Sequence, residues 1–218
     1  MVRGKFITFE GGEGAGKSTQ ARLLADRLAL HGLVARVTRE PGGTPFAEQV
    51  RDMILSRATA PHGALAETLL FYAARADHLD QIVRPALARG EWVISDRFSD
   101  STRAYQGAAG GVPQAVIDGI ERIVVGTEGP DLTILLDLEA TAGLARARGR
   151  APDAVDAYEA RKLEFHERLR QGFLEIARAE PHRVVVLDGA QPIAAIAERV
   201  WADVARRFGI AHGATGAA

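Results

Sequence analysis

A phosphate-binding loop near the N-terminus constrains this chain more than any other feature. Residues 11–18 read Gly-Gly-Glu-Gly-Ala-Gly-Lys-Ser, the complete G-x-x-x-x-G-K-[ST] pattern. The apolar run Phe6 to Phe9 precedes the loop, and apolar residues at helical spacing follow it up to Gly32. A glycine-rich turn that matched the pattern by chance would need neither a strand before it nor a helix after it. We therefore predict a strand, a loop and a helix N-terminus that together bind a nucleoside triphosphate.

The loop pattern gives each of its polar residues a role. Lys17 can reach the outer phosphates, and the Ser18 hydroxyl can ligate the magnesium ion that bridges them. The ATP-binding residues expected from the pattern are Gly11, Gly12, Glu13, Gly14, Ala15, Gly16, Lys17, Ser18 and Thr19.

Short β-rich runs alternate with longer helical stretches along the chain. This alternation predicts an α/β fold with a five-stranded parallel sheet and helices on both faces. The predicted strands are Phe6–Phe9, Leu33–Val37, Trp92–Ser95, Leu132–Leu136 and Arg183–Leu187.

The chain shows no composition break, so we expect a single domain over residues 1–209. The segment Gly149–Asp156 is rich in Gly, Pro, Asp and Ala between two helical stretches, and we expect a mobile flap there, within a short lid at about residues 146–160. Residues 210–218 lack an apolar period and are expected to form a disordered tail.

Composition excludes several classes of function. The chain has 218 residues, 47% of them apolar, and a formal net charge of −1. This balance argues against a nucleic-acid partner, and the absence of cysteine excludes disulfides and thiolate metal sites. Met1 to Lys5 lead directly into the first predicted strand, so we expect no signal peptide, no membrane partner and a cytoplasmic protein.

A second charged motif follows the predicted strand Trp92–Ser95. Asp96 could orient magnesium or its waters, and the planar guanidinium of Arg97 suits a second phosphate. The alternative is a buried structural Asp–Arg pair. Because ligands bind at the carboxyl ends of parallel strands, we expect both residues beside the phosphate loop.

Four segments in order carry a more specific resemblance, and it extends over the chain up to the final helix. Together they resemble thymidylate kinases, P-loop nucleoside monophosphate kinases that use Mg-ATP to phosphorylate dTMP to dTDP on the route to dTTP. The resemblance implies the P-loop nucleoside monophosphate kinase fold, ATP and dTMP as ligands, Mg²⁺ as cofactor and a homodimer as the assembly. The segments are residues 9–19, 38–44, 70–78 and 96–107.

The resemblance also implies an acceptor site. Phe71 would stack on thymine, Arg75 would bind a base oxygen, and Tyr105 would crowd a 2′-hydroxyl. Glu13 would approach the 3′-hydroxyl. From spacing alone, Phe71 could equally be a core residue and Arg75 a solvated one. The implied substrate-binding residues are Glu13, Arg39, Glu40, Pro41, Phe71, Arg75, Arg97, Ser101, Thr102, Tyr105 and Gln106, with Thr102 where the family more often has asparagine.

The phosphate loop contains no arginine, whereas the lid is rich in arginine, as in the bacterial arrangement of the family. The implied catalytic residues are Lys17, Arg97, Arg146, Arg148 and Arg150, and the implied metal ligands are Ser18 and Asp96. Ala157 stands where a lid arginine is expected, and Arg161 stands where an acidic residue is common. Either Arg150 or Arg161 could replace the missing arginine, and the sequence leaves that choice open.

Two rival functions remain to be separated. Another nucleotide kinase on the same fold would share the donor site and differ at the acceptor residues. A P-loop switch or a nucleic-acid-dependent ATPase belongs to a different class. The chain contains no asparagine, which excludes the Asn-Lys-x-Asp motif of GTPase switches, and no basic face with interleaved aromatics supports a nucleic-acid motor.

Overall fold

The computed structural model describes residues 2–56, 63–150 and 158–210, with Arg150 through its backbone only. Two π-helical turns, Leu79–Val83 and Arg103–Ala108, interrupt the helices. The strands are β1 Phe6–Glu10, β2 Ala35–Arg39, β3 Trp92–Asp96, β4 Leu132–Asp137 and β5 Val184–Asp188. The helices are α1 Lys17–Leu30, α2 Pro45–Leu55, α3 Ala64–His78, α4 Arg84–Ala88, α5 Ser99–Thr102, α6 Gln114–Val124, α7 Ala140–Arg150, α8 Leu163–Ala179 and α9 Ile193–Phe208.

The five strands form one parallel sheet in the order β2-β3-β1-β4-β5, which confirms the predicted architecture. The second strand begins two residues later than predicted and continues to Arg39. Its partner explains the shift, because Ala35 pairs with Trp92 and Arg39 pairs with Asp96. Pairing with β3, rather than local apolar content, sets the ends of β2.

The central strand β1 is buried on both faces, as expected of a parallel sheet covered by helices. Alternate side chains enter different cores because strand side chains point to opposite faces. Ile7 packs with residues of α1 and α9, whereas Phe6 packs with residues of α3 and α6. Helices therefore cover both faces, as predicted.

The carboxyl ends of β1, β2 and β3 meet at one edge of the sheet. Arg97 N–H donates to the Phe9 carbonyl at 2.9 Å, and Glu40 N–H donates to the Asp96 carbonyl at 3.0 Å. The three loops that follow these strands are consequently held side by side. This edge is where an open parallel sheet binds its ligands.

The predicted flap and tail fall largely outside the described residues. Gly149 and Arg150 end α7, and residues 151–157 of the flap are not described. Of the predicted tail, Ile210 packs against the core between α1 and α9, and residues 211–218 are not described. Within the described ranges, no helix is long and apolar enough to cross a membrane.

Candidate active site

Glycines shape the phosphate loop because its backbone turns through conformations that other residues avoid. Gly11, Gly14 and Gly16 have φ values of 134°, 67° and 95°. A Cβ on Gly14 would lie 2.1 Å from the Gly143 carbonyl oxygen of α7. The loop is therefore packed against the start of α7, and the predicted strand, loop and helix order is confirmed.

Lys17 folds back over this loop. Its ammonium donates to the carbonyl oxygens of Gly12 at 2.8 Å and Gly11 at 3.1 Å. Burial and, after it, the neighbouring Arg97 lower the pKa of Lys17 to about 8, against the opposing effect of Asp96. A buried cation held by two carbonyls is ready to exchange them for the oxygens of a polyphosphate.

Ser18 and Asp96 lie together where α1 begins and β3 ends. The Ser18 hydroxyl donates to the Asp96 carboxylate. Both side chains carry oxygen ligands, which suit Mg²⁺, and no cluster of three or more His, Cys, Asp or Glu side chains occurs among the described residues. Two protein oxygens fit Mg²⁺ in particular, because this ion usually keeps waters and takes substrate phosphates as further ligands.

Arg97 connects the phosphate loop to the neighbouring cleft. Its φ of 71° lies in the left-handed region and is the one positive value at a non-glycine residue in the described parts of the chain. The guanidinium donates to the Gly11 carbonyl at 3.0 Å, to Ser101 Oγ at 3.2 Å and to Glu13 Oε1 at 2.8 Å. The strained backbone thus places the Arg97 guanidinium between the phosphate loop and Ser101. Arg97 is therefore not simply the partner of Asp96 in a structural ion pair.

Glu13 is ionised despite lying inside the phosphate loop. It accepts hydrogen bonds from Arg97 at 2.8 Å and from the Tyr105 hydroxyl at 2.5 Å. Burial alone raises the pKa of the Glu13 carboxyl, but Arg97 and Lys17 outweigh burial and hold this pKa at about 2. The loop thus presents a carboxylate that can accept a hydroxyl proton in a hydrogen bond.

A cavity beside Arg97 collects all the predicted substrate-binding residues except Arg39. Arg39 instead lies near the phosphate loop, where its exposed guanidinium donates twice to Glu48 at 3.0 Å. The cavity is lined by Glu13, Glu40, Pro41, Arg51, Leu55, Phe71, Arg75, Arg97, Phe98, Ser101, Thr102, Tyr105, Gln106 and Tyr158.

Two polar residues of this lining were missed in the sequence. Arg51 donates to the Pro41 carbonyl at 3.0 Å and comes from α2, where no local pattern marks it. Tyr158 follows the predicted flap. The one signal in the sequence that could have identified it is an aromatic side chain next to a predicted lid. Its hydroxyl donates to Glu67 at 2.7 Å and accepts from Gln106 Nε2 at 2.8 Å.

Two residues that line the cavity each carry a buried polar atom that has no protein partner. Arg75 is only 2% exposed and bonds Glu40 and Thr102, yet its Nη1 has no acceptor. Gln106 Oε1 likewise has no donor. Arg75 is therefore not a solvated helix residue, and the half-buried Phe71 lines the cavity while also packing against the core formed by residues of α2 and α8.

The lid arginines occupy different surroundings. Arg146 donates to the Gly189 carbonyl at 2.8 Å and lines a second cavity, which it shares with Gly14, Thr19 and Gln20 of the phosphate loop and α1. Arg148 lies on an exposed face of α7, and the side chain of Arg150 is outside the described residues.

Arg161 contacts Tyr158, which lines the first cavity, and Glu67 beside it. It donates to Glu67 at 3.0 Å, and its guanidinium lies 4.5 Å from the centre of the Tyr158 ring. Of the two candidates that the sequence left open for the missing lid arginine, Arg161 therefore has its side chain held by Glu67 and Tyr158.

Comparisons with known proteins agree on one family. The model of the thymidylate kinase family matches residues 9–200. Thymidylate kinase of Rhodopseudomonas palustris (strain BisB18) is 51% identical over 209 residues, or 95% of this chain and 91% of that protein. Thymidylate kinase of Caulobacter vibrioides is 50% identical over 210 residues, or 96% of this chain and 100% of that protein.

A solved structure gives the same result. The crystal structure of thymidylate kinase from Ehrlichia chaffeensis superimposes with a TM-score of 0.75 at 34% identity, covering 93% of this chain and 98% of that chain. The chain therefore belongs to the thymidylate kinase family, whose enzymes phosphorylate dTMP to dTDP with ATP as donor.

Proposed function

We propose that the cavity at Arg75 and Gln106 binds dTMP through the edge of its thymine ring. The observation that carries this assignment is the pair of unpartnered buried atoms, the donor Arg75 Nη1 and the acceptor Gln106 Oε1. Thymine presents an acceptor at its 4-oxo group and a donor at N3–H. Cytosine presents the reverse pattern, and each buried mismatch costs about 1–3 kcal/mol.

The sugar is bound by Glu13 and Tyr105 in this proposal. The Glu13 carboxylate accepts from the 3′-hydroxyl, and the buried Tyr105 ring closes the space that a 2′-hydroxyl would need. Phe71 stacks on the base from the half-buried side of the cavity, and the acceptor phosphate lies against Arg97.

Phosphoryl transfer then depends on alignment and charge. Lys17 follows the migrating phosphoryl group of ATP, and Arg97 holds the attacking acceptor phosphate in line. Ser18 and Asp96 would hold Mg²⁺, which supplies charge neutralisation at the triphosphate. The acceptor phosphate is already anionic, so the site needs no strong general base. Arg146, Arg148 and Arg150 complete the neutralisation from a lid near residues 146–160.

An acceptor panel tests the assignment of the cavity. With Mg-ATP, kcat/KM for dTMP should exceed that for dCMP, AMP or GMP by about 10² or more, because a site built on hydrogen bonds rejects reversed partners. Uridylates should be weaker than dTMP, since they lack the methyl group and UMP adds a 2′-hydroxyl. Equal use of AMP and dTMP would contradict the proposal.

A pair of glutamine variants locates the effect. Gln106→Ala should lower kcat/KM for dTMP at least about tenfold, by removal of a buried hydrogen-bonding group. Gln114→Ala, at an exposed glutamine of α6, is the matched control and should retain parental values. Equal losses in both variants would remove Gln106 from the base site.

We further propose that residues 1–209 act as one catalytic domain and that two copies form a homodimer. Helix α3 packs beside both α2 and α6, and the three helices share exposed apolar side chains. These residues are Phe46, Met53, Leu65, Leu69, Val116 and Ile123. The proposed compartment is the cytoplasm, and cell fractionation followed by the dTMP assay tests it.

A further inference from the structure

A chain of buried hydrogen bonds leads from Arg75, at the proposed thymine site, through Glu40 to His78 and Thr38. Arg75 and His78 are three residues apart on α3, so their side chains share one face of the helix. Glu40 follows β2 and lies between them. Arg75, His78 and Glu40 are 2%, 0% and 4% exposed, so bulk solvent does not reach the hydrogen bonds between them.

The distances define an unbroken path. Arg75 Nε donates to Glu40 Oε2 at 2.7 Å, His78 Nδ1 lies 2.8 Å from Glu40 Oε1, and His78 Nε2 lies 2.8 Å from Thr38 Oγ1. The pKa of Glu40 is lowered, because Arg75 and His78 outweigh the raising effect of burial. An ionised carboxylate only accepts, so Nδ1–H must donate to it. Nε2 of the same ring forms the second hydrogen bond of the path, with the Thr38 hydroxyl.

The guanidinium of Arg75 is fixed on several sides at once. Glu40 holds Nε, Thr102 Oγ1 accepts from Nη2 at 3.1 Å, and the rings of Tyr72 and Phe98 lie 4.7 Å and 5.0 Å from the guanidinium carbon. The remaining nitrogen, Nη1, is the one without a protein partner. Its position is therefore set by groups other than the two atoms proposed to bind the base, and one of them, Glu40, connects it to His78.

The histidine ring is itself confined. Gly43 passes over it with a φ of 90°, and a Cβ at that position would lie 2.9 Å from His78 Cδ2 and 2.7 Å from Thr38 Oγ1. The ring thus has little room to leave Glu40. Without the His78 bond, one buried oxygen of Glu40 would lack a partner, and the carboxylate could rotate away from Arg75.

We propose that His78 is a positioning residue for the acceptor base: acting through Glu40, it fixes the guanidinium of Arg75 and thereby sets the affinity for dTMP without touching the nucleotide. This inference rests on the proposed assignment of Arg75 to the thymine edge.

Two histidine variants separate positioning from general stability. Asparagine can place an amide N–H near the position of Nδ1, whereas glutamine places its amide nearer to Nε2 and Thr38. His78→Gln should raise KM for dTMP about tenfold, as expected for a loosened charged hydrogen bond. KM for ATP and kcat should stay within about twofold of the parent. His78→Asn should restore most of the dTMP affinity, to within about threefold.

Thr38→Val is the matched control. It removes the outer end of the path and leaves Nδ1–H on Glu40, so KM for dTMP should change less than threefold. Thermal unfolding of each variant, with and without dTMP, checks that the protein is folded and gives a second measure of affinity. Equal increases of KM for dTMP and ATP, equal effects of asparagine and glutamine, or failure of both histidine variants to fold would overturn the proposal.

Arg75→Lys distinguishes the two levels of inference. Unchanged KM for dTMP in this variant would refute the base assignment of Arg75 itself. A raised KM in Arg75→Lys together with parental behaviour of His78→Gln would refute only the role of His78.

Discussion

Lys17 and Glu13 carry opposite charges within the phosphate loop, and the ionisation of Lys17 limits the pH range of the enzyme. Glu13, with a pKa of about 2, stays ionised at any useful pH, whereas Lys17, with a pKa of about 8, does not stay charged far above neutrality. The difference has a physical cause, since cationic neighbours stabilise the carboxylate while burial and Arg97 oppose the ammonium.

We predict that kcat/KM for ATP falls above about pH 8, because the free enzyme then loses the Lys17 proton. The triphosphate stabilises the ammonium once ATP is bound, so kcat at saturating ATP should persist to higher pH. Profiles of both parameters from about pH 6.5 to 10 test this. A kcat/KM that stays flat to about pH 9.5 would show that Lys17 keeps its proton in the free enzyme.

Glu10 gives a stability prediction at the same scale. It is buried and accepts hydrogen bonds from Phe98 N–H at 2.7 Å and Ser101 Oγ at 2.6 Å. Burial raises the pKa of Glu10 to about 8, with Asp100 adding to the effect. Between about pH 4.5 and 8 the native state therefore binds more protons than the unfolded state at this group. The free energy of unfolding should decrease as pH rises through that window.

Glu10→Gln removes this titration while keeping an acceptor for Phe98 and a polar partner for Ser101. We expect urea unfolding of the variant to depend less on pH than that of the parent. Relative to the parent, the variant should gain stability as pH rises from 5 to 8. A difference between variant and parent that does not change over this range would mean that Glu10 is ionised in the native protein.

At the scale of elements, α7 carries the lid arginines out from the phosphate loop. Arg146 contacts the loop after β5 and lines the second cavity, whereas Arg148 lies exposed. We therefore expect Arg146→Ala mainly to raise the KM for ATP. The expected increase is about tenfold, as for the loss of one charged hydrogen bond from Arg146 to ATP in this cavity.

Among Arg146, Arg148 and Arg150, at least one alanine variant should lower kcat by about 10² or more with little change in KM for dTMP, as for removal of one transition-state donor. Assays at saturating ATP and dTMP measure this loss. Arg178→Ala, at an exposed arginine of α8, should remain parental. If all three lid variants keep nearly full turnover, the catalytic cation lies elsewhere, and Arg161→Ala becomes the decisive variant.

At the scale of the whole molecule, the exposed apolar face of α2, α3 and α6 predicts the oligomer. Leu69→Glu on α3 should convert a dimer into a monomer, because a charge replaces a half-exposed leucine in the proposed interface. Light scattering after gel filtration measures the mass. Leu30→Glu, at an exposed leucine of α1, is the matched control and should stay dimeric. A monomeric parent protein would refute the proposed interface.

The sequence by itself determined the features that depend on neighbours along the chain. The phosphate loop, the strand before it and the helix after it were readable because glycines, apolar runs and the Lys-Ser ending act locally. Asp96 and Arg97 were predicted at the end of a strand for the same reason. The family segments then indicated Phe71, Arg75, Tyr105 and Gln106, all of which line the cavity.

Only the tertiary structure decided which polar atoms are satisfied. The bonds from Glu40 to Arg75 and His78, from Gln106 to Tyr158 and from Arg161 to Glu67 join residues between 35 and 94 positions apart. The π-helical turn Arg103–Ala108 is a second feature that only the tertiary structure showed. Tyr105 and Gln106 lie next to each other in this turn, and both line the same cavity. Burial makes each such bond matter, and burial arises from the packing of distant elements, which no local pattern contains.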